Sequence, residues 1–174
     1  MKTMKKLGLA LALAATMVAG AAKADLYPLQ IGVAGMDCQL VQEINDIAPL
    51  RLNLLFSENI TVAGLDFGAF GKSDSSYGVQ LDLFNFVEDW GAGLALGLYL
   101  EAGNYAGISF APFNFTEGTY AGVQMGFFPS ADVLYGVQFG AINRVRELHG
   151  VQIGLVNMAG ESDWPFLPLI RVGF

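Results

Sequence analysis

The amino-acid sequence predicts an all-β fold that is built from one short unit repeated along the chain. Glycine recurs every 14 or 15 residues, at positions 64, 78, 93, 107, 122, 136 and 150. After each of these glycines, large apolar residues alternate with small or polar ones, which is the period of a strand. Turn-forming and charged residues separate the units. A fixed period of this kind indicates a repeat architecture, so it is interpreted before any single motif.

The first 24 residues have the three parts of a secretory signal peptide. Lys2, Lys5 and Lys6 precede an apolar stretch over 7–22, and an Ala-Lys-Ala cleavage motif follows at 22–24. The apolar stretch is shorter than the ~20 residues that a spanning helix needs. We therefore predict an exported chain, with a signal peptide at 1–24 and a single β-repeat domain at 25–174.

The charge balance argues against nucleic acid as a partner. The chain has nine basic and sixteen acidic residues, and removal of residues 1–24 takes away four of the basic ones and none of the acids. Nucleic acids and anionic membrane surfaces both favour basic patches. The chain has one cysteine, Cys38, and one histidine, His149, which cannot supply the ligands of a zinc site. No metal or cofactor is predicted.

Alternation along the chain predicts ten strands. The first two, near residues 28 and 49, alternate without the glycine, and the segment 35–48 between them resembles the repeat least. Seven strands follow from the glycine units, and a closing segment at 165–174 keeps the alternation. The predicted strands begin near residues 28, 49, 62, 77, 91, 105, 120, 135, 149 and 165.

The preferred arrangement is an antiparallel meander that closes into an outer-membrane β-barrel of about ten strands. A nine-residue strand tilted near 40° covers roughly 23 Å, close to the ~25 Å apolar band of such barrels. The large apolar residues would then contact lipid, and the small or polar face would line a lumen. Aromatic residues at the strand starts, such as Tyr77, Trp90 and Tyr135, would form girdles at both rims.

The alternative arrangement is a parallel β-solenoid with coils of 14–15 residues. Glutamine lies two residues after four of the glycines and asparagine seven residues after four of them, which would stack amides into ladders. A nine-residue strand needs a return of ~27 Å, whereas five residues reach only ~17 Å. Such a coil therefore requires two shorter strands and an extra corner, which we place near the asparagine.

The candidate site consists of polar residues on the small face of the strands. They would line the lumen of a barrel or form the ladder of a solenoid. Asp66 and Asp82 could bias a pore toward cations or pair with Arg51 or Arg171, which is the more common fate of enclosed carboxylates. The candidate lumen or ladder residues are Asp66, Gln80, Asp82, Ser109, Gln124, Gln138 and Gln152.

No catalytic constellation is recognisable in the sequence. His149 would have to serve as the base of any Ser-His-Asp site. It occupies the position that tyrosine occupies in sister repeats, at Tyr77 and Tyr135, which marks it as a strand-end residue. We therefore predict that the chain is not an enzyme.

The repeats resemble a loosely characterised group of bacterial surface-repeat proteins whose unit reads Gly-Val/Leu-Gln-x-Gly-Leu-Val-Asn. Residues 150–157 match this unit fully, and residues 165–174 resemble the closing segment of the group. The units at 64, 93 and 107 depart from it, with Asp66, Ala95 and Ser109 in place of glutamine. The resemblance covers roughly residues 49–174 and implies a surface or outer-membrane protein without known chemistry.

Together these observations predict an exported outer-membrane or surface protein of a Gram-negative bacterium. It would be structural, form a minor pore or bind at the surface, with outer-membrane lipid as its partner. The alternative is a solenoid surface protein that binds a protein partner or glycan through its glutamine-bearing face. Solubility would separate the two, because a barrel exposes its valine and leucine rows to lipid whereas a solenoid is expected to bury them.

Overall fold

The computed structural model describes residues 26–33, 40, 45–160 and 166–174. The predicted signal peptide, Cys38 and most of the segment 35–48 lie outside these ranges. In the described part of the chain, no helix is long and apolar enough to cross a membrane.

The described residues form a sheet whose strand order follows the order of the chain. All pairs from β1 to β6 are parallel, and the last pair, β6 with β7, is antiparallel. The second strand is much longer than the others because its strand conformation runs on through more than three successive repeats. The strands are β1 (Leu26–Gly32), β2 (Asp46–Leu96), β3 (Tyr99–Phe110), β4 (Phe113–Gly126), β5 (Phe128–Gly140), β6 (Ile142–Ala159) and β7 (Phe166–Gly173).

The parallel pairs align each repeat with the next in the same phase. Gly93 pairs with Gly107, which pairs with Gly122, and the alignment continues through Gly136 to Gly150. The fold is therefore the parallel β-solenoid with coils of about 14 residues, and the prediction of an antiparallel barrel was wrong. Alternation with period two is common to both folds, so it could not decide between them. Identical repeats that all begin at the same position of the strand favour a solenoid, because a solenoid stacks equivalent residues on one another.

Each coil has two strand segments that are separated by two corners. We count positions in a coil from its reference glycine. The first corner falls at positions +4 and +5, as at Gly97 and Leu98, where the strand is interrupted. The second corner falls after position +9, where the pairing shifts, as between Val87 and Trp90. Because each coil is divided into two short strand segments, the chain can return to its starting side, which a single nine-residue strand and a five-residue connection could not achieve. The reference glycines are Gly64, Gly78, Gly93, Gly107, Gly122, Gly136 and Gly150.

The reference glycines stack into a column that no other residue could form. Gly122, for example, has a φ of 133°, which residues with a side chain rarely adopt. A Cβ atom at Gly122 would also overlap the carbonyl oxygen of Gly107 in the preceding coil. The regular spacing of glycine in the sequence is therefore a requirement of close backbone stacking.

The closing strand departs from the repeat. Residues 165–174 were expected to continue the alternation in step with the units before them. The alternation continues, with exposed Ile170 and Val172 on either side of buried Arg171, but strand β7 runs antiparallel, so that Gly173 lies opposite Gly150 and Arg171 opposite Gln152. The reversal ends the parallel stack at its C-terminal side. The position of Pro165 lies outside the described residues.

Candidate functional site

All seven candidate lumen or ladder residues lie inside the solenoid, between the two strand segments of the coils. None of their side chains exposes more than 1% of its surface, and the three glutamines at the C-terminal end expose none. Six of them occupy position +2, and Asp82 occupies position +4. These interior residues are Asp66, Gln80, Asp82, Ser109, Gln124, Gln138 and Gln152.

Three of the glutamines form a hydrogen-bonded ladder along the axis. Gln152 Nε2 donates to Gln138 Oε1 at 2.8 Å, and Gln138 Nε2 donates to Gln124 Oε1 at 2.8 Å. Gln124 Nε2 in turn donates to the carbonyl oxygen of Ser130, at position +8 on the opposite strand segment, at 3.1 Å. The ladder therefore connects successive coils and also joins the two segments of one coil.

Where glutamine is replaced, other polar groups take over its contacts. Ser109 lies 2.7 Å from the hydroxyl of Tyr120, and Asn114 Nδ2 donates to Ser109 Oγ at 2.7 Å. In the coil that keeps glutamine at position 80, Asn85 Nδ2 donates to Gln80 Oε1 at 2.9 Å. Burial of polar groups without such partners would be costly. The interior polar residues are thus structural hydrogen-bonding groups.

The two aspartates belong to a buried charged cluster in the N-terminal coils. Arg51 makes a two-point ion pair with Asp66, through Nε to Oδ1 at 2.8 Å and through Nη2 to Oδ2. Asn53 Nδ2 also donates to Asp66 Oδ1 at 2.9 Å. Burial, together with the negative charge of Asp66, raises the pKa of Asp82 to about 8. Both causes favour the neutral, protonated form of the Asp82 carboxyl group.

The burial of these residues changes the predicted site. Side chains fill the interior at position +2, so these residues do not line an open pore. Gln124, Gln138 and Gln152 are fully enclosed, so a partner or a glycan cannot reach them. The prediction that a partner binds through a glutamine-bearing face was therefore wrong in its choice of residues, because these glutamines are enclosed.

The outward-facing residues divide the surface of the solenoid into an apolar and a charged side. We call the apolar side the apolar edge, which comprises positions +1, +3, +5 and +6 of the seven coils and surrounds the first corner. Every one of these side chains is at least partly exposed. The apolar edge is Leu65, Phe67, Ala69, Phe70, Val79, Leu81, Leu83, Phe84, Leu94, Leu96, Leu98, Tyr99, Ile108, Phe110, Pro112, Phe113, Val123, Met125, Phe127, Phe128, Val137, Phe139, Ala141, Ile142, Val151, Ile153, Leu155 and Val156.

The exposure of the apolar edge contradicts the expectation that a solenoid would bury its valine and leucine rows. Leu155 exposes 69% of its surface and Phe127 exposes 63%. The edge carries shallow grooves between coils, one of about 580 Å³ beside Phe127 and Leu155 and one of about 490 Å³ beside Phe113. Aromatic rings stack along position +6, as between Phe113 and Phe128, with ring centroids 5.6 Å apart.

The opposite side, around the second corner, carries charged residues, and we call it the charged edge. Lys72 Nζ lies 2.7 Å from Glu58 and 2.9 Å from Glu88, which raises the pKa of the lysine. Arg146 Nε lies 2.8 Å from Asp132 Oδ1. The charged edge comprises Lys72, Asp74, Glu88, Asp89, Glu101, Glu117, Asp132, Arg144, Arg146 and Glu147.

Amphipathic aromatic side chains lie where the two sides meet. On one strand segment these are Tyr77 and Tyr135, at position −1, two residues before the apolar position +1. On the other segment, the Tyr99 hydroxyl donates to Glu101, which raises the pKa of the tyrosine to about 12. The ring of Tyr99 thus belongs to the apolar edge while its hydroxyl contacts the charged edge.

His149 is part of a surface cluster in the outer layer. Its ring stacks on Tyr135, with the ring centroids 4.6 Å apart, and its Nε2 lies 2.7 Å from Glu147 Oε1. Among the residues that the structure describes, no group of three or more histidine, cysteine, aspartate or glutamate side chains could hold a metal ion. Comparisons with protein-family models, with curated proteins and with solved structures gave no match.

Sequence reasoning missed the apolar edge as a surface of the solenoid. The signal was present, because residues such as Phe84 and Phe113 interrupt the alternation just before an asparagine. Two consecutive outward-facing residues, at positions +5 and +6, mark a corner that turns the chain from one segment to the other. The predicted extra corner near the asparagine lies there, two to three residues before it.

Proposed function

We propose that this chain is an exported bacterial surface protein without catalytic activity, which acts as a structural scaffold and binds through its outer surface. The observation that carries this proposal is the exposed apolar edge. Glutamine and charged side chains are enclosed in the interior beside a buried apolar cluster, whereas large apolar side chains also cover one side of the outer surface. A monomeric soluble protein rarely exposes a contiguous apolar surface of this kind, which is typical of an interaction site.

Two features of the sequence support export and surface location. The first 24 residues have the pattern of a signal peptide. The repeat unit at 150–157 resembles that of bacterial surface-repeat proteins, which favours the cell surface or outer membrane of a Gram-negative bacterium. We do not retain the pore, because the interior at position +2 is filled by side chains.

Protease treatment of intact cells tests this proposal. The full chain is expressed with its own N-terminal segment in a Gram-negative host, and the N-terminus of the product is sequenced. We expect cleavage after Ala24 and digestion by protease that is added to intact cells. An unprocessed chain that is protected until the cells are lysed would overturn the proposal. This result does not depend on what the outer surface binds.

A further inference from the structure

We propose that the apolar edge inserts into one leaflet of a lipid bilayer, with the solenoid axis parallel to the membrane plane. This inference rests on the proposed function, because it names the partner of the outer surface. The charged edge then faces water along the whole length of the solenoid. The ligand is the hydrocarbon region of a bilayer of neutral, zwitterionic lipids.

The shape of the apolar edge favours lipid over a second protein surface. Positions +1 and +3 lie on one strand segment, position +5 lies at the corner, and position +6 lies on the other segment. Phe139, Leu155 and Phe128, for example, occupy positions +3, +5 and +6 around this corner. The edge is therefore convex. A flat face of a second copy would cover one side of it, whereas acyl chains can surround both sides.

The chemistry of the apolar edge points the same way. None of its residues is charged, and its one hydrogen-bonding side chain, Tyr99, donates to Glu101 on the charged edge. Protein interfaces carry about one hydrogen bond per 100–200 Å² and a substantial polar fraction. Backbone groups in the coils pair with neighbouring coils, as between β4 and β5. Lipid-exposed strands require that pairing, since hydrocarbon offers no hydrogen bonds.

The dimensions of the apolar edge fit one leaflet. From position +5 at the corner to position +1, four residues at ~3.3 Å each span about 13 Å, and on the other segment three residues, about 10 Å, separate the corner from the charged position +8. Half of a ~30 Å hydrocarbon core is about 15 Å. The amphipathic rings of Tyr77 and Tyr135, two residues beyond position +1, then lie at the level of the lipid headgroups, where tyrosine is enriched in membrane proteins.

The distribution of charge sets the lipid type. Acidic residues such as Glu88, Glu117 and Asp132 predominate on the charged edge, and the chain as a whole is acidic. Anionic lipids would therefore repel the protein rather than attract it. We expect binding that depends on buried apolar surface and persists at high salt, because screening affects charges and not hydrophobic contacts.

Vesicle flotation tests the inference on the full chain. Phosphatidylcholine vesicles are mixed with wild type, with a Phe127→Ser/Phe139→Ser variant of the apolar edge, or with a matched Phe86→Ser/Phe115→Ser variant at position +8. Removing two exposed phenyl rings from the membrane contact should weaken partitioning at least about tenfold. The matched variant lies at the border of the membrane contact and should weaken partitioning clearly less than the first variant. Circular dichroism establishes that each variant is folded.

A second experiment measures how deeply single tryptophan residues enter the bilayer, so that the orientation is tested even if the substitutions change partitioning indirectly. Leu155→Trp or Thr119→Trp is introduced in a Trp90→Phe/Trp164→Phe background, and the vesicles contain lipids with brominated acyl chains. We expect strong fluorescence quenching at 155, on the apolar edge, and little at 119, near the charged edge. Equal quenching at both positions would contradict the proposed orientation.

Two outcomes would overturn the inference and leave the proposed function intact. Vesicle binding that is unaffected by Phe127→Ser/Phe139→Ser would place the membrane contact elsewhere, for example in the apolar segment 7–22. A wild type that does not bind vesicles but forms a dimer, which that variant abolishes, would assign the apolar edge to a second copy. In either case, protease sensitivity on intact cells would still support surface exposure.

Discussion

The N-terminal and C-terminal coils share one backbone but differ in what they enclose. In the N-terminal coils the interior holds a charged cluster around Arg51, Asp66 and Asp82. In the C-terminal coils it holds the neutral glutamine ladder and a contiguous apolar cluster that runs from Val87 to Ala159. Tyr105 and Tyr120 stack within this cluster with their ring centroids 5.5 Å apart.

The glycine period therefore determines how the coils stack, but it does not determine whether their interior is charged or apolar. Buried ions lose hydration, and their mutual attraction offsets that loss only when every partner is in place. Apolar side chains such as Leu134 and Leu148 need no partner. Because each coil contacts only its neighbours, stability in a solenoid is local. We expect the N-terminal coils to open before the C-terminal ones.

The largest effect should come from Arg51→Met. This substitution leaves Asp66 buried without its cation, and removal of one partner of a buried ion pair costs about 3–5 kcal/mol. Amide hydrogen exchange, followed residue by residue, should show loss of protection in the N-terminal coils while β5 and β6 stay protected. Uniform loss along the whole chain would mean that the two regions unfold as one unit.

An arginine at the surface provides the control for this substitution. Arg146 pairs with Asp132 at 2.8 Å on the charged edge, where 48% and 42% of the two side chains are exposed. Exposed pairs contribute little to stability because water solvates both ions and salt screens them. Arg146→Met should leave the exchange pattern close to that of wild type.

A smaller effect should follow from pH, again confined to the N-terminal coils. The folded-state pKa of Asp82 is raised to about 8, so the folded form holds a proton that the unfolded form releases near pH 4. The stability that this proton contributes is fully present below pH 4 and is lost as the pH rises through 8. The urea midpoint should therefore fall between pH 6 and pH 9.

Asp82→Asn checks this assignment, since asparagine keeps the size of the side chain and cannot ionise. We expect its urea midpoint to change less between pH 6 and pH 9 than that of wild type. A variant as pH-sensitive as wild type would show that another group titrates. The C-terminal coils, where the described residues include no buried carboxylate, should show no matching loss of hydrogen-exchange protection over this range.

Much of the fold was readable from the sequence, and the reasons are specific. The spacing of Gly122, Gly136 and Gly150 predicted a repeat architecture, and the glutamines two residues after them predicted a ladder of stacked amides if the fold was a solenoid. The direction of the strands was not readable, because alternation around Val137 is the same in a meander and in a coil. The return length disfavoured the solenoid, because it required two shorter strands and an extra corner in each coil.

The site was harder to predict because burial was inferred from hydrophobicity. Polar Gln138 was taken to line a pore or face a partner, and it is enclosed. Apolar Phe127 would be expected in a core, and it is exposed. In the barrel prediction the same apolar rows also faced outward, so this feature of the prediction matches the structure although the fold differs. Alternation in a single sequence assigns each residue to one of the two faces of a strand, but it does not show which face is buried.

The smallest predicted change in unfolding free energy comes from replacing one glutamine in each region. Gln138→Met keeps the volume of the side chain but removes the acceptor of Gln152 Nε2 and the donor to Gln124 Oε1. Loss of buried hydrogen-bond partners costs about 1–3 kcal/mol. In the N-terminal coils, Gln80 accepts a hydrogen bond from Asn85, but its Nε2 has no hydrogen-bond partner within the described part of the chain. Gln80→Met should therefore destabilise the protein less, as measured by urea unfolding of both variants. If the two substitutions cost the same, the ladder contributes nothing beyond single hydrogen bonds, and the higher stability of the C-terminal coils would rest on their apolar cluster alone.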